Sequence, residues 1–224
     1  MGSSRFPGKP LHMIAGKPML QHVYERASAF KGWEYLIVAT PDQEIMAYCQ
    51  HAGIKCRFTP GSVERRALDA CAEAAIDLPE GDIIVNVQGD EPLVTVENID
   101  VIVRDMEMWI TREANLLLIK LRPGDLNDKN AVKALTYPHG GVIYTTRQPV
   151  GAASGRVGGL FAFRNFALKQ FTKMATNDYE ETESCDINRW LGNGRRVYAV
   201  PAVSPSYQSV DCLRDVAVVE AMML

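Results

Sequence analysis

Three times in succession between residues 34 and 109, a short apolar run gives way to an amphipathic stretch. "EYLIVAT" (34–40) precedes "PDQEIMAYCQHAG" (41–53), and "IKCRF" (54–58) precedes "SVERRALDACAEAAI" (62–76). "DIIVNVQGDEP" (82–92) precedes "TVENIDVIVRDMEMW" (95–109). Apolar runs of this length predict strands buried on both faces. The amphipathic stretches predict helices, with Pro41 in the first turn and Gly53 at the end of one, and Ser62 as the N-cap of the next. Such alternation implies right-handed crossovers and an α/β fold, a doubly wound, mostly parallel sheet. Ligands of such sheets bind beyond the carboxyl ends of the strands, so the polar residues there are the candidates for function.

The second half is more mixed. Residues 114–121, 131–135, 140–146, 158–163 and 195–202 read as strands, forming in part a smaller β-rich lobe. Residues 165–175 and 180–194 read as helices, the second closed by Gly194. A last helix over 210–223 starts at Asp211, and the glycine-rich 149–159 reads as an exposed loop. With 224 residues, 47% of them hydrophobic, the chain can build one domain with a full core. A net charge of -3 gives no sign of a nucleic-acid or membrane surface. The four histidines lack metal-ligand spacing. The five cysteines form no CxxC pair, which fits reduced thiols and a cytoplasmic location. No run is long enough to span a membrane, and no signal peptide is visible.

Four clusters could carry chemistry. In "MGSSRFPGKPL", Gly2, Ser3 and Ser4 can turn backbone N–H groups toward an anion. Arg5 adds a planar fork and Lys9 a compact charge; the alternative is a plain cationic terminus. Where "IIVNV" gives out, the Gln88 amide can read a base or a sugar hydroxyl. Asp90 there is a hard-oxygen ligand suited to Mg²⁺, unless the segment is only a surface turn. Asp211 is either a helix cap or a second carboxylate for that ion. Glu180 and Glu183, three residues apart, share a helical face, as do Glu183 and Asp186; a solvated acidic first turn is the competing reading.

"GSSRFPGKPL" with "IAGKPML" and "IVNVQGDEP" resembles the nucleotide-sugar cytidylyltransferases, most closely the CMP-Kdo synthetase (3-deoxy-manno-octulosonate cytidylyltransferase) family. "IVAT" (37–40), "NAVKAL" (130–135), "YTTRQP" (144–149) and "VDCLRD" (210–215) follow in family order. The resemblance implies transfer of CMP from CTP to 3-deoxy-manno-octulosonate (Kdo) or a related 2-keto sugar acid, with Mg²⁺ and release of pyrophosphate. A sialic-acid-like sugar, or a non-catalytic nucleotide- or sugar-binding protein, are the alternatives. It implies that Ser3, Ser4, Arg5, Lys9, Arg65 and Gln88 bind the nucleotide. Lys9, Asp90 and Asp211 would be catalytic, the two carboxylates as metal ligands. Gln88, Arg147, Glu180 and Glu181 would face the sugar. In "TPGSVERR" (59–66) only Glu64 and Arg65 match the family's nucleotide-holding motif, and "RVGGLFAF" replaces its sugar-side strand. The family is often dimeric, so a homodimer is expected. Its opening loop follows a hydrophobic strand, so the resemblance puts Met1 at an internal position of a single domain, 1–224, that lacks the first strand.

Overall fold

The computed structural model describes residues 6–62, 66–204 and 208–224. Ser3, Ser4, Arg5, Glu64 and Arg65 lie outside the described residues. A short hairpin, β1 (Met13–Ile14) and β2 (Lys17–Pro18), leads into helix α1 (Met19–Ser28). Then come β3 (Val38–Thr40), α2 (Gln43–His51), β4 (Cys56–Phe58), α3 (Ala67–Ala74), β5 (Ile83–Val87) and α4 (Val96–Met108). The second half holds β6 (Ala114–Ile119), β7 (Lys133–Thr136), β8 (Val142–Thr146) and β9 (Gly155–Arg164). It ends with α5 (Asn165–Phe171), α6 (Asp178–Glu183), α7 (Ile187–Gly192), β10 (Tyr198–Pro201) and α8 (Leu213–Met223).

The expected α/β class is present, with helices on both faces of a mixed sheet. Strand β9 lies at its centre, antiparallel to β5, β6 and β7. Strand β10 runs parallel to β6, and β3 and β4 form a separate parallel pair. The two-residue period of the strands divides the core in two. Leu116, Phe161 and Phe163 pack toward α3, α5 and α7 around Phe171 and Trp190. Leu117, Leu160 and Ala162 pack on the opposite face against Val23 of α1 and Ile99, Ile102 and Met106 of α4. Each fully buried aliphatic or aromatic side chain of this kind contributes about 1.5–3 kcal/mol.

Several local expectations are corrected. The glycine-rich stretch is not an exposed loop from end to end: Gly155 opens β9, a largely buried strand. These glycines permit close approach. A Cβ on Gly159 would collide with Glu91 Oε1, and one on Gly155 would meet the Ile119 carbonyl at 2.7 Å. The helix expected over 180–194 is two helices, because Ser184 takes a left-handed conformation (φ 49°) between them. Helix α3 starts at Ala67 rather than at Ser62, which ends a 3-10 turn. Helix α2 is capped by Asp42, whose Oδ1 accepts from the Glu44 N–H at 3.0 Å, leaving Pro41 outside. Helix α8 starts after Cys212, so Asp211 is not its cap. Finally, only Val38–Thr40 of the predicted strand 34–40 is paired, and Tyr35 is 61% exposed.

Candidate active site

Strand β5 ends at Val87, and the next four residues turn sharply. The Gln88 N–H donates to the Gly159 carbonyl at 2.8 Å, and the Glu91 N–H donates back to the Gln88 carbonyl at 3.2 Å. This places Gln88 and Asp90 at the carboxyl end of the strand, over a cleft of about 340 Å³. The Val210 N–H donates to the Asp90 carbonyl at 2.9 Å, so the distant C-terminal segment is tied to the same turn and Asp211 lines the same cleft. From the opposite end of the chain, Gly8, in a left-handed conformation (φ 73°), precedes a 3-10 turn at Lys9–Leu11. That turn delivers the Lys9 ammonium, which donates to Asp90 Oδ2 at 2.7 Å and to the Val210 carbonyl at 3.0 Å. Three segments far apart in sequence thus converge. Lys9, Gln88, Asp90, Arg147 and Asp211, all expected site residues, line one cleft.

Beneath Asp90 lies Glu91, 2% exposed. Its Oε1 accepts from the Gly159 N–H at 3.1 Å and from the Ser209 hydroxyl at 2.6 Å. Burial, reinforced by the charges of Asp90 and Asp211, pushes its carboxyl well above the ordinary carboxylate range; Ser209 and Arg156 act the other way. Asp90 and Asp211 provide hard oxygens of the type Mg²⁺ takes, and the ion ordinarily completes its shell with phosphates and water. This donor set fits such an ion. Among the described residues no group of three or more His, Cys, Asp or Glu forms a cage made by protein alone.

The opposite wall is cationic. Arg147 Nε donates to the Glu183 carbonyl at 2.8 Å, and Nη1 donates to the carbonyls of Lys129 (3.0 Å) and Asn130 (3.2 Å). These acceptors are neutral, so they fix the guanidinium without cancelling its charge. Arg156, 8% exposed, also lines the cleft. Its Nη1 stands 3.6 Å from Asp125 Oδ1, and its buried Nε has no hydrogen-bond partner. The sequence reading missed Arg156 because it took "GRVGG" for loop; the only available signal was a lone cation among glycines.

Glu180 and Glu181 do not line the cleft. Glu180 is fully buried, with both oxygens accepting from Arg189 at 2.7 Å. Arg189 also donates to both oxygens of Asp69, at 2.8 and 3.0 Å. These two paired carboxylates raise the Arg189 pKa despite its burial. The network clamps α6 and α7 to α3. Glu181 is exposed, 3.9 Å from Arg66. Glu183 is buried too: its carboxylate accepts from the Thr146 hydroxyl and the Arg147 N–H, each at 2.7 Å.

Asp186, on the cleft wall, accepts from the Leu68 N–H at 2.9 Å. Burial raises its carboxyl from 3.8 to about 6, against the opposing effects of Leu68 and Arg66. Between these values the folded chain holds a proton that the unfolded chain releases. Its stability contribution is therefore most favourable below the lower value and is lost as pH rises through about 6. Asp186→Asn is expected to gain melting temperature relative to the parent between pH 5 and pH 8. A difference independent of pH would show that Asp186 does not titrate this way.

No helix among the described residues is long and apolar enough to cross a membrane. The family model for cytidylyltransferases matches residues 1–197. A 3-deoxy-manno-octulosonate cytidylyltransferase of Anaeromyxobacter sp. (strain Fw109-5) is 37% identical over 88% of this chain and 82% of its own length. The mitochondrial enzyme of that name from Arabidopsis thaliana is 31% identical over 99% of this chain and 79% of its own length. The structure of a CMP:2-keto-3-deoxy-manno-octonic acid synthetase complexed with CTP superposes with a TM-score of 0.87 at 28% identity, covering 99% of this chain and 94% of the other. Matching motifs, fold and coverage together place this chain in the cytidylyltransferase family, among the 3-deoxy-manno-octulosonate cytidylyltransferases.

Proposed function

We propose that this protein transfers CMP from CTP to 3-deoxy-manno-octulosonate or a closely related 2-keto sugar acid, with Mg²⁺, and releases pyrophosphate. The observation that carries this reading is the convergence of Lys9, Asp90 and Asp211 beside Gln88 at the end of β5. In the reaction a sugar hydroxyl oxygen bonds to the α-phosphorus and releases its proton to water, while the bond from the α-phosphorus to the α–β bridging oxygen breaks and that oxygen leaves with pyrophosphate. No covalent enzyme intermediate is required, so alignment and charge compensation supply the rate. Asp90 and Asp211 would hold Mg²⁺, which on binding would neutralise phosphate charge and stabilise the leaving pyrophosphate.

The chain's own groups have separable tasks. Lys9 presents an ammonium to the triphosphate from a position preset by Asp90 and the Val210 carbonyl. The Gln88 side chain, between the nucleotide and sugar ends of the cleft, offers both donors and an acceptor. Arg147 and Arg156 give the acid group of the sugar a cationic wall. Glu180 acts through the Arg189 clamp rather than by touching the sugar. A homodimer in the cytoplasm, supplying a surface-polysaccharide precursor, goes with this reading.

Pyrophosphate release from CTP, measured against a panel of 2-keto sugar acids, tests the assignment. Release should require both Mg²⁺ and an acid of this class, with 3-deoxy-manno-octulosonate best. A folded chain that binds CTP but releases nothing with any acid would point to the binding-protein alternative.

A further inference from the structure

Two of the cysteines meet, and the way α2 ends brings them together. Gly53, in a left-handed conformation (φ 68°), donates its N–H to the Gln50 carbonyl at 3.4 Å, and the Ile54 N–H donates to the Cys49 carbonyl at 2.8 Å. A helix closed by glycine in this manner reverses its chain direction. Strand β4 is thereby sent back along the helix, with Ile54 and Cys56 in the same small apolar cluster as Ile45 and Cys49. Met46 and Cys49 are three residues apart and share that face of α2. Three sulfur atoms therefore gather in one place. The Cys56 thiol donates to Met46 Sδ at 3.1 Å and is hydrogen-bonded to the Cys49 thiol as well. The remaining cysteines have other surroundings. Cys71 hydrogen-bonds with Asn86, the Cys185 thiol donates to the Glu183 carbonyl at 3.3 Å, and Cys212 is the N-cap of α8.

We propose that Met46, Cys49 and Cys56 form a three-coordinate site for a soft monovalent cation, Cu(I), apart from the transferase cleft, which none of the three lines. Thiolate and thioether donors select such an ion. Mg²⁺ and Ca²⁺ take oxygen, and Zn²⁺ is ordinarily held by four ligands drawn from Cys, His and carboxylates, a set without a thioether. A disulfide would leave the Met46 sulfur unused. Burial also works against the disulfide: it pushes the Cys56 thiol up to about 12, with Cys49 adding to the effect, and raises Cys49 too. Both are neutral thiols near pH 7, poor in the thiolate that attacks peroxides or disulfides. The cation overcomes this because it compensates the charge it creates. It bonds to both cysteine sulfurs and to the methionine sulfur, two thiol protons pass to water, and no electron is transferred. Cys49 is fully buried whereas Met46 and Cys56 are half-buried, so the ion enters past the latter pair and ties α2 to β4.

Anaerobic titration of the reduced full chain with Cu(I), in competition with the chelator bicinchoninate, tests this. The parent should take up one ion per chain. X-ray absorption of the loaded protein should show sulfur neighbours only, about three per copper. Met46→Leu is close to volume-conserving, so it should keep the fold; it should weaken binding about 10-fold and lower the sulfur count to about two. Cys56→Ala should weaken binding at least ~100-fold. Cys212→Ala, which removes the other partly exposed thiol, should change it less than about 2-fold. Uptake unchanged in Cys56→Ala would overturn the proposal, as would nitrogen or oxygen neighbours in the parent or an equal loss in Cys212→Ala. Zn²⁺ displacing Cu(I) at equal concentration would overturn the choice of ion. None of these readouts depends on CTP turnover, so failure here leaves the proposed transferase activity to its own test.

Discussion

Asp90→Asn is expected to leave the fold intact and cut CMP transfer at least ~100-fold, the scale seen when one preorganised charge-stabilising group is removed. The fold survives because Asp90 holds the structure through its main chain. Its carbonyl, accepting from the Val210 N–H, is untouched by the substitution. The side chain is 25% exposed and its pair with Lys9 is partly solvated, so the stability cost stays below about 1 kcal/mol. Catalysis has no such reserve. An amide can still accept from Lys9, but it carries no charge to share with a divalent ion. Unfolding by denaturant and steady-state turnover on the same preparation separate the two effects. Near-normal turnover in a folded variant would remove Asp90 from the metal site.

Arg189→Met is expected to cost about 3–5 kcal/mol, because it removes the main cationic partner of two carboxylates in the interior. Asp69 and Glu180 are 1% and 0% exposed, and all four of their oxygens accept from this guanidinium, while Arg66 offers each carboxylate one further contact, its N–H to Asp69 Oδ2 at 3.1 Å and its Nε 3.3 Å from Glu180 Oε1. For a domain of this size that is a fall in melting temperature of roughly 6–20 °C. Glu180→Gln should cost less, since it keeps an acceptor for Arg189. Both variants should retain the parent KM for the sugar under conditions where they are folded. A Glu180→Gln enzyme with full stability and a sharply raised KM would return Glu180 to the sugar site.

Most of the site was legible because the chemistry sits where strand periodicity stops. "IIVNV" ends at Val87, and a buried run that turns polar at a strand's carboxyl end marks a cleft without further information. Lys9 and Asp211 stood out locally, as a cation in a glycine-rich segment and a carboxylate ahead of a helix, but only the resemblance joined them in one site, since nothing local says that Lys9 and Val210, 201 residues apart, meet. Other features were hidden for physical reasons. Composition alone cannot distinguish a glycine that bends a loop from one that lets Glu91 press against β9. The acidic turn at 180–183 reads as solvated because its partner, Arg189, follows a break at Ser184 that a continuous helical pattern conceals. Residues 34–37 read as strand because the pattern reports what the segment prefers, whereas the ladder forms only where a neighbour exists.

The most direct test follows the α-phosphorus itself. Phosphorus NMR of CTP, Mg²⁺, 3-deoxy-manno-octulosonate and the protein should show the α-phosphate signal converting to that of a CMP–sugar phosphodiester. Inorganic pyrophosphate should appear in equal amount, and neither product should form without the sugar acid. CTP persisting unchanged in the presence of folded protein, or conversion that ignores the sugar acid, would contradict the assignment.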